Sequence, residues 1–146
     1  MLSLLQFMAS LATSLFAGAA IYISLVEHPA RMGCTTEIAA RVWIPSYRRA
    51  TVMQASLAMI GFVAGLASWL LGAGIWWLTA ALFIMAVIPV TLIIIFPTNE
   101  RLLEPDRDLG SVETRDLLDK WGMLHGIRSL LSLIAASIFL WQLTGN

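Results

Sequence analysis

The sequence predicts an all-α protein, a four-helix transmembrane bundle with a structured cytoplasmic loop. Three observations predict it. Of 146 residues, 59% are hydrophobic and only 12% are charged, against about 25% charged in soluble domains. The apolar residues gather into four segments, each near the roughly 20 residues that cross a hydrocarbon core. All nine Lys and Arg except Arg128 fall in two of the connections between those segments.

The length suits one domain, so residues 1–146 are read as a single integral membrane domain. A formal net charge of +0 gives no electrostatic footprint for nucleic acid. The lone cysteine, Cys34, forms no internal disulfide. The N-terminus lacks the basic stretch of a cleaved signal peptide, and its apolar run is too long for one. It is read as a retained first helix.

The four spans are expected at 4–26, 51–71, 75–96 and 121–143. Only helices satisfy their own backbone polar groups in lipid, which removes any extended alternative. Arg31, Arg41, Arg48 and Arg49 lie in the first connection, and Arg101, Arg107, Arg115 and Lys120 in the third. The turn at 71–74 has no charge. The positive-inside rule then places both basic connections in the cytoplasm and both termini outside, in what is read as a bacterial inner membrane. Trp69, Trp76, Trp77 and Trp141 are expected in an outer aromatic belt. Trp43, Tyr47 and Trp121 are expected at the cytoplasmic edge. Gly72 and Gly74 make segments two and three antiparallel neighbours.

The first connection, 27–50, is expected to hold a short helix over 37–42. Thr35 or Thr36 would cap it, a Glu37–Arg41 pair would support it, and Pro45 would stop it. The third connection is an acidic, solvated run in which helix resumes near Ser111. Segment two carries a stripe of Gln54, Ala58, Gly61, Gly65, Ser68 and Gly72, and segment one carries Ser10, Ser14, Gly18 and Tyr22. Small residues let helices approach closely in lipid. The stripes could face the bundle interior or a second copy, so a homo-oligomer is open. Pro89 should bend segment three, with Thr91 compensating.

Polar residues converge on the cytoplasmic rim. Segment one ends in Tyr22, Glu27 and His28, segment three in Pro97, Thr98 and Asn99, and segment four opens with Trp121, His125 and Arg128. The last three share one helical face. Arg128 lies about 10 Å inside Trp121 along the helix. An unpaired arginine at that depth costs several kcal/mol. Two fates are open to it: snorkelling to the headgroups, or pairing inward with Glu27 or an anionic ligand. His28, His125 and Glu27 make a candidate two-histidine, one-carboxylate metal set, so the cofactor is left as none or a metal ion. Phosphate-binding glycine loops, paired cysteines and a nucleophile elbow are absent.

Four motifs carry a family resemblance: Glu27-His28-Pro29-Ala30-Arg31, Trp43-Ile44-Pro45-Ser46-Tyr47, Pro97-Thr98-Asn99 with Leu102, and Trp121 through His125 to Arg128. In this order they resemble the small anthrone-oxygenase-like membrane proteins, much of whose family is catalogued only as a domain of unknown function. The resemblance implies a four-helix membrane bundle. Some fungal relatives oxidise an anthrone to an anthraquinone without an ordinary organic cofactor, while most bacterial members have no assigned reaction. It points to a site at His28, Asn99, Trp121, His125 and Arg128. An oxygenase-like enzyme would use His125 as base, Arg128 and Asn99 on the oxyanion, and Trp121 and Tyr22 against the rings of a lipophilic aromatic or quinone-like compound entering from the bilayer. The alternatives are a non-enzymatic ligand-binding or partner protein and, last, a transporter subunit.

The topology is testable in intact cells. An impermeant thiol reagent should miss a cysteine placed at Asp106 and label one at the C-terminus. The reverse pattern would sink the assignment.

Overall fold

The computed structural model describes residues 1–145. Four long helices account for nearly all of them: α1 Leu2–Met32, α2 Thr36–Leu70, α3 Ile75–Leu102 and α4 Val112–Leu143, each long and apolar enough to cross a membrane. Each packs on two neighbours in the ring α1–α2–α3–α4, which closes between α4 and α1. No strand forms among the described residues. The surface is strongly apolar, with Leu25, Val52, Ile93 and Met123 all at least 70% exposed. Such a surface belongs in lipid, and the protein is an integral membrane bundle.

At 1.5 Å per residue, helices of 28 to 35 residues are about 42–52 Å long. The hydrocarbon core is only about 30 Å thick. The helices therefore extend beyond it, which corrects the reading of the first connection. Residues 27–32 complete α1 and residues 36–50 form the first turns of α2, leaving only 33–35 as a link. Pro45 does not stop the helix but lies inside α2. Thr35 occupies the cap position without a side-chain hydrogen bond. The Glu37–Arg41 pair forms, at 2.8 and 3.0 Å. Ser111 caps α4 by accepting from the Thr114 amide at 3.1 Å. Arg115 donates to the Met32 carbonyl at 2.6 Å and the Cys34 carbonyl at 3.3 Å, closing the open end of α1.

Two helices are locally unwound into π turns, at Ile23–Glu27 of α1 and Val90–Ile95 of α3. The second follows Pro89, which has no amide to donate. Thr91 donates to the Val87 carbonyl at 2.7 Å beside it.

Two cores hold the bundle. One packs Phe16, Ile84, Trp77 and Phe139 with seven alanines. The other packs Trp43, Ile95, Leu102, Leu118 and Trp121. Trp77 is 2% exposed and Trp43 1%, so both are core residues rather than members of an aromatic belt. Trp121 is buried as well, whereas Trp76 and Trp141 remain exposed as a belt requires.

The segment-two stripe faces inward from Gln54 to Ser68, while Gly72 forms the turn at φ 91°. The segment-one stripe does not hold. Ser10 is buried, but Gly18 and Tyr22 face outward, and the buried face runs through Ala9, Thr13, Phe16, Ala17 and Ala20. Residues four apart drift by about 40° per step on a helix of 3.6 residues per turn. Three such steps leave the face.

Close approach is enforced at glycines. A Cβ on Gly61 would lie 2.4 Å from Thr13 Oγ1, and one on Gly65 would lie 2.6 Å from Phe139 Cζ. Gly65→Leu should cost at least the roughly 1–3 kcal/mol typical of overpacking, measured as reduced unfolding temperature in detergent. Ile60→Leu, on an exposed position, should be neutral. Equal tolerance at both positions would refute the packing.

Candidate functional site

Between the two cores lies a layer of polar side chains. Arg128 of α4 points into the bundle and donates from Nη2 to Gln54 Oε1 of α2 at 2.6 Å. Its guanidinium also sits 5.5 Å from the centre of the Phe16 ring. A cation over an aromatic face is attracted by the ring quadrupole. Only 8% of Arg128 is exposed. It does not snorkel and it does not pair with Glu27, which instead accepts from Arg31 one turn further along α1. Glu27 and Arg31 are i, i+4 neighbours on one helix and meet without any contribution from α4.

One turn before Arg128, His125 faces the same interior. Its Nδ1 lies 3.0 Å from Ser24 Oγ, which lies 2.9 Å from Ser129 Oγ. Ser24 belongs to the π turn of α1. One order of protons runs from the end of this chain. In it, Ser129 donates its only proton to the Ala20 carbonyl, at 3.0 Å. Its oxygen can then only accept from Ser24, and the Ser24 oxygen can only accept from His125. In this order Nδ1 carries the proton and Nε2 the lone pair; the reverse order, with Ser129 donating to Ser24 and Ser24 to Nδ1, satisfies the same Ser24 contacts.

Aromatic rings form one wall. Trp43 stacks on Tyr47 at 4.9 Å between centroids and meets Trp121 edge-on at 5.6 Å. Trp121 lies 4.8 Å from the His125 ring and 5.2 Å from the His28 ring. Trp43, Tyr47, Trp121 and His125 line a narrow cleft of about 30 Å³ together with Glu27, Arg31, Gln54 and Arg128. Two guanidinium groups therefore face one carboxylate. Five buried donors have no acceptor in the protein: Nε and Nη1 of Arg31, Nε of Arg128, Nε2 of Gln54 and Nε1 of Trp43.

Of the residues expected at the site, Glu27, Trp121, His125 and Arg128 line the cleft. Tyr22 does not. It is 56% exposed, on the outer face of α1. Asn99 stands behind the wall, donating from Nδ2 to Tyr47 Oη at 3.2 Å. His28 packs behind Trp121 and against Gly122, where a Cβ would fall 2.5 Å from His28 Nε2. His28, His125 and Glu27 are not drawn together as metal ligands. Among the described residues no three His, Cys, Asp or Glu side chains converge on one point.

Four contributors went unassigned in the sequence reading: Arg31, Gln54, Ser24 and Ser129. A signal existed for Gln54, a lone amide in a stripe of small residues. Arg31 looked like an ordinary loop cation because the helix continues past the last apolar residue. No sequence signal pairs Ser24 with Ser129 across 105 positions.

The order with Nδ1 protonated makes a spectroscopic prediction. With only two histidines, ¹⁵N spectra in nanodiscs should show His125 with Nδ1 protonated. Ser129→Ala frees Ser24 to donate, so the Nε2-protonated form should rise at least several-fold. A major Nε2-protonated species in the unaltered protein would refute that order.

Residues 43–138 match a protein-family model described as anthrone oxygenase. The match takes in α3, most of α2 and most of α4, and with them Trp43, Tyr47, Gln54, Trp121, His125 and Arg128. The α1 residues Ser24, Glu27 and Arg31 lie outside it. No curated protein and no solved structure matches the chain. The family match spans well over half of the 146 residues, and the chain belongs to the anthrone oxygenase family.

Proposed function

We propose that this protein binds a lipophilic aromatic compound with an ionisable oxygen in the polar cleft and oxidises it with dioxygen, as the family's description suggests. The observation that carries the reading is the pair of buried guanidinium groups, Arg31 and Arg128, set against one carboxylate and beside the His125 ring. In a low-dielectric site these charges act strongly on a developing oxyanion.

His125 Nε2 takes a proton from an acidic carbon or hydroxyl of the substrate. Arg128 stabilises the oxyanion that results, and the Trp43–Tyr47–Trp121 wall holds the rings. For an anthrone, the electron-rich anion then reduces dioxygen. One oxygen atom becomes the new carbonyl. The other leaves as water with the two methylene hydrogens, so the four electrons lost by carbon are those gained by oxygen. By the charge asymmetry of the connections, the cleft opens towards the cytoplasm.

Binding without turnover is the second reading. It is favoured by Asn99, one of the two groups expected on the oxyanion, which is turned towards Tyr47. Oxygen uptake by the protein in nanodiscs, with a tricyclic anthrone as substrate, separates the two. Turnover should consume one dioxygen per quinone formed. Arg128→Leu should reduce the rate by about 10²–10³, the cost of losing an oxyanion donor. Arg128→Lys keeps the charge without the planar fork, and should fall between. Ligand-induced stabilisation with no oxygen uptake supports the second reading. Full turnover in both variants refutes a role for Arg128.

A further inference from the structure

A second cleft meets the polar one at the same two side chains. It lies between α2 and α3, has a volume of about 150 Å³, and is lined by Thr51, Gln54, Ala55, Thr91 and Leu92, with Phe16 and Arg128 at its inner end. Its rim is on the lipid-facing surface. Ala55 is exposed, and Leu92 is 60% exposed. Both residues fall within the apolar spans, so the mouth opens into hydrocarbon rather than water.

The walls are apolar, yet the inner end is cationic. Thr51 and Thr91 spend their hydroxyl protons on the carbonyls of Tyr47 and Val87. Gln54 is 1% exposed, and its Nε2 has no acceptor in the protein. Arg128 Nε likewise has none. The one carboxylate near this junction, Glu27, lines only the polar cleft and is bound to Arg31. The π turn of α3 that follows Pro89 supplies Thr91 and Leu92 to one wall. π turns recur at functional sites because they break the regular packing face.

We propose that this lateral cleft admits and holds an apolar aromatic anion dissolved in the bilayer, with its ring body between α2 and α3 and its anionic oxygen towards the Arg128 and Gln54 side chains. The inference rests on the proposed function for the class of ligand, and names the route and the recognition rule. A neutral ring of the same shape fills the apolar walls but leaves both donors unpaired. An anion completes them. Selection is therefore by charge at the inner end and by width at the mouth.

The test uses anthracene-9-carboxylate, with anthracene-9-methanol as neutral control, bound to the full-length protein in nanodiscs of zwitterionic lipid. The carboxylate should bind at least tenfold more tightly than the alcohol. Ala55→Trp and Leu92→Trp narrow the mouth from opposite walls at lipid-facing positions that tolerate large side chains. Each should weaken carboxylate binding at least tenfold with helical content unchanged. Wild-type affinity in both variants would overturn the proposal, as would equal affinity for acid and alcohol. Ser46→Trp, which fills the polar cleft alone, reads the proposed function separately. If Ser46→Trp abolishes turnover while the two mouth variants bind normally, the chemistry stands and the lateral route falls. If the mouth variants lose binding while no protein turns over substrate, the route stands and the oxidation falls.

Discussion

The burial of one guanidinium organises this bundle. Arg128 lies deep in an apolar span, where an unpaired charge costs several kcal/mol. It is met by a neutral amide, Gln54, and by the face of Phe16. Three helices are tied to that requirement. Helix α2 must turn Gln54 inward, α1 must bring Phe16 beneath, and α4 must keep the face that also carries Trp121 and His125. Because neither partner is an anion, the charge is solvated only in part. Both clefts end on it for the same reason, since the space beside an incompletely paired cation is the space an anion would take.

The helices come near enough for these contacts because small residues stand where they cross. Gly61 admits Thr13, Gly65 admits Phe139, and Gly122 admits His28. Seven alanines line the core around Phe16 and Phe139. Between helices in lipid the hydrophobic effect gives little help, so van der Waals contact at close range must supply the cohesion. The two cores then bracket the polar layer and fix its geometry. Rigidity comes from the layers above and below, not from the charged groups themselves.

Much of this was legible in the sequence. Four spans followed from apolar length, and the inward face of α2 followed from Gln54, Ala58, Gly61, Gly65 and Ser68. Arg128 and His125 stood out because polar side chains are costly at that depth. What failed to show has specific causes. Hydropathy reports the membrane, not the helix, so the polar turns of α2 before Thr51 read as a loop. Arg31 was hidden by the same effect. Tyr22 was misplaced because a four-residue spacing drifts off a 3.6-residue face. The π turn just beyond it shifts later side chains by on the order of 100°, one residue's rotation. Asn99 reached the right end of the bundle but turned to Tyr47, a choice between neighbours that no spacing encodes. The Ser24–Ser129–His125 chain joins distant positions through hydroxyls that are common anywhere.

The polar layer is also the least satisfied part of the molecule. Five buried donors there lack an acceptor within the protein. Each such group costs about 1–3 kcal/mol. Apolar residues of similar volume would fill the layer at less cost, since buried charges seldom add net stability over such replacements. The flanking cores must therefore carry the fold. Strength in one place permits incompleteness in another, and here the incomplete layer is cationic, donor-rich and walled on one side by aromatic rings.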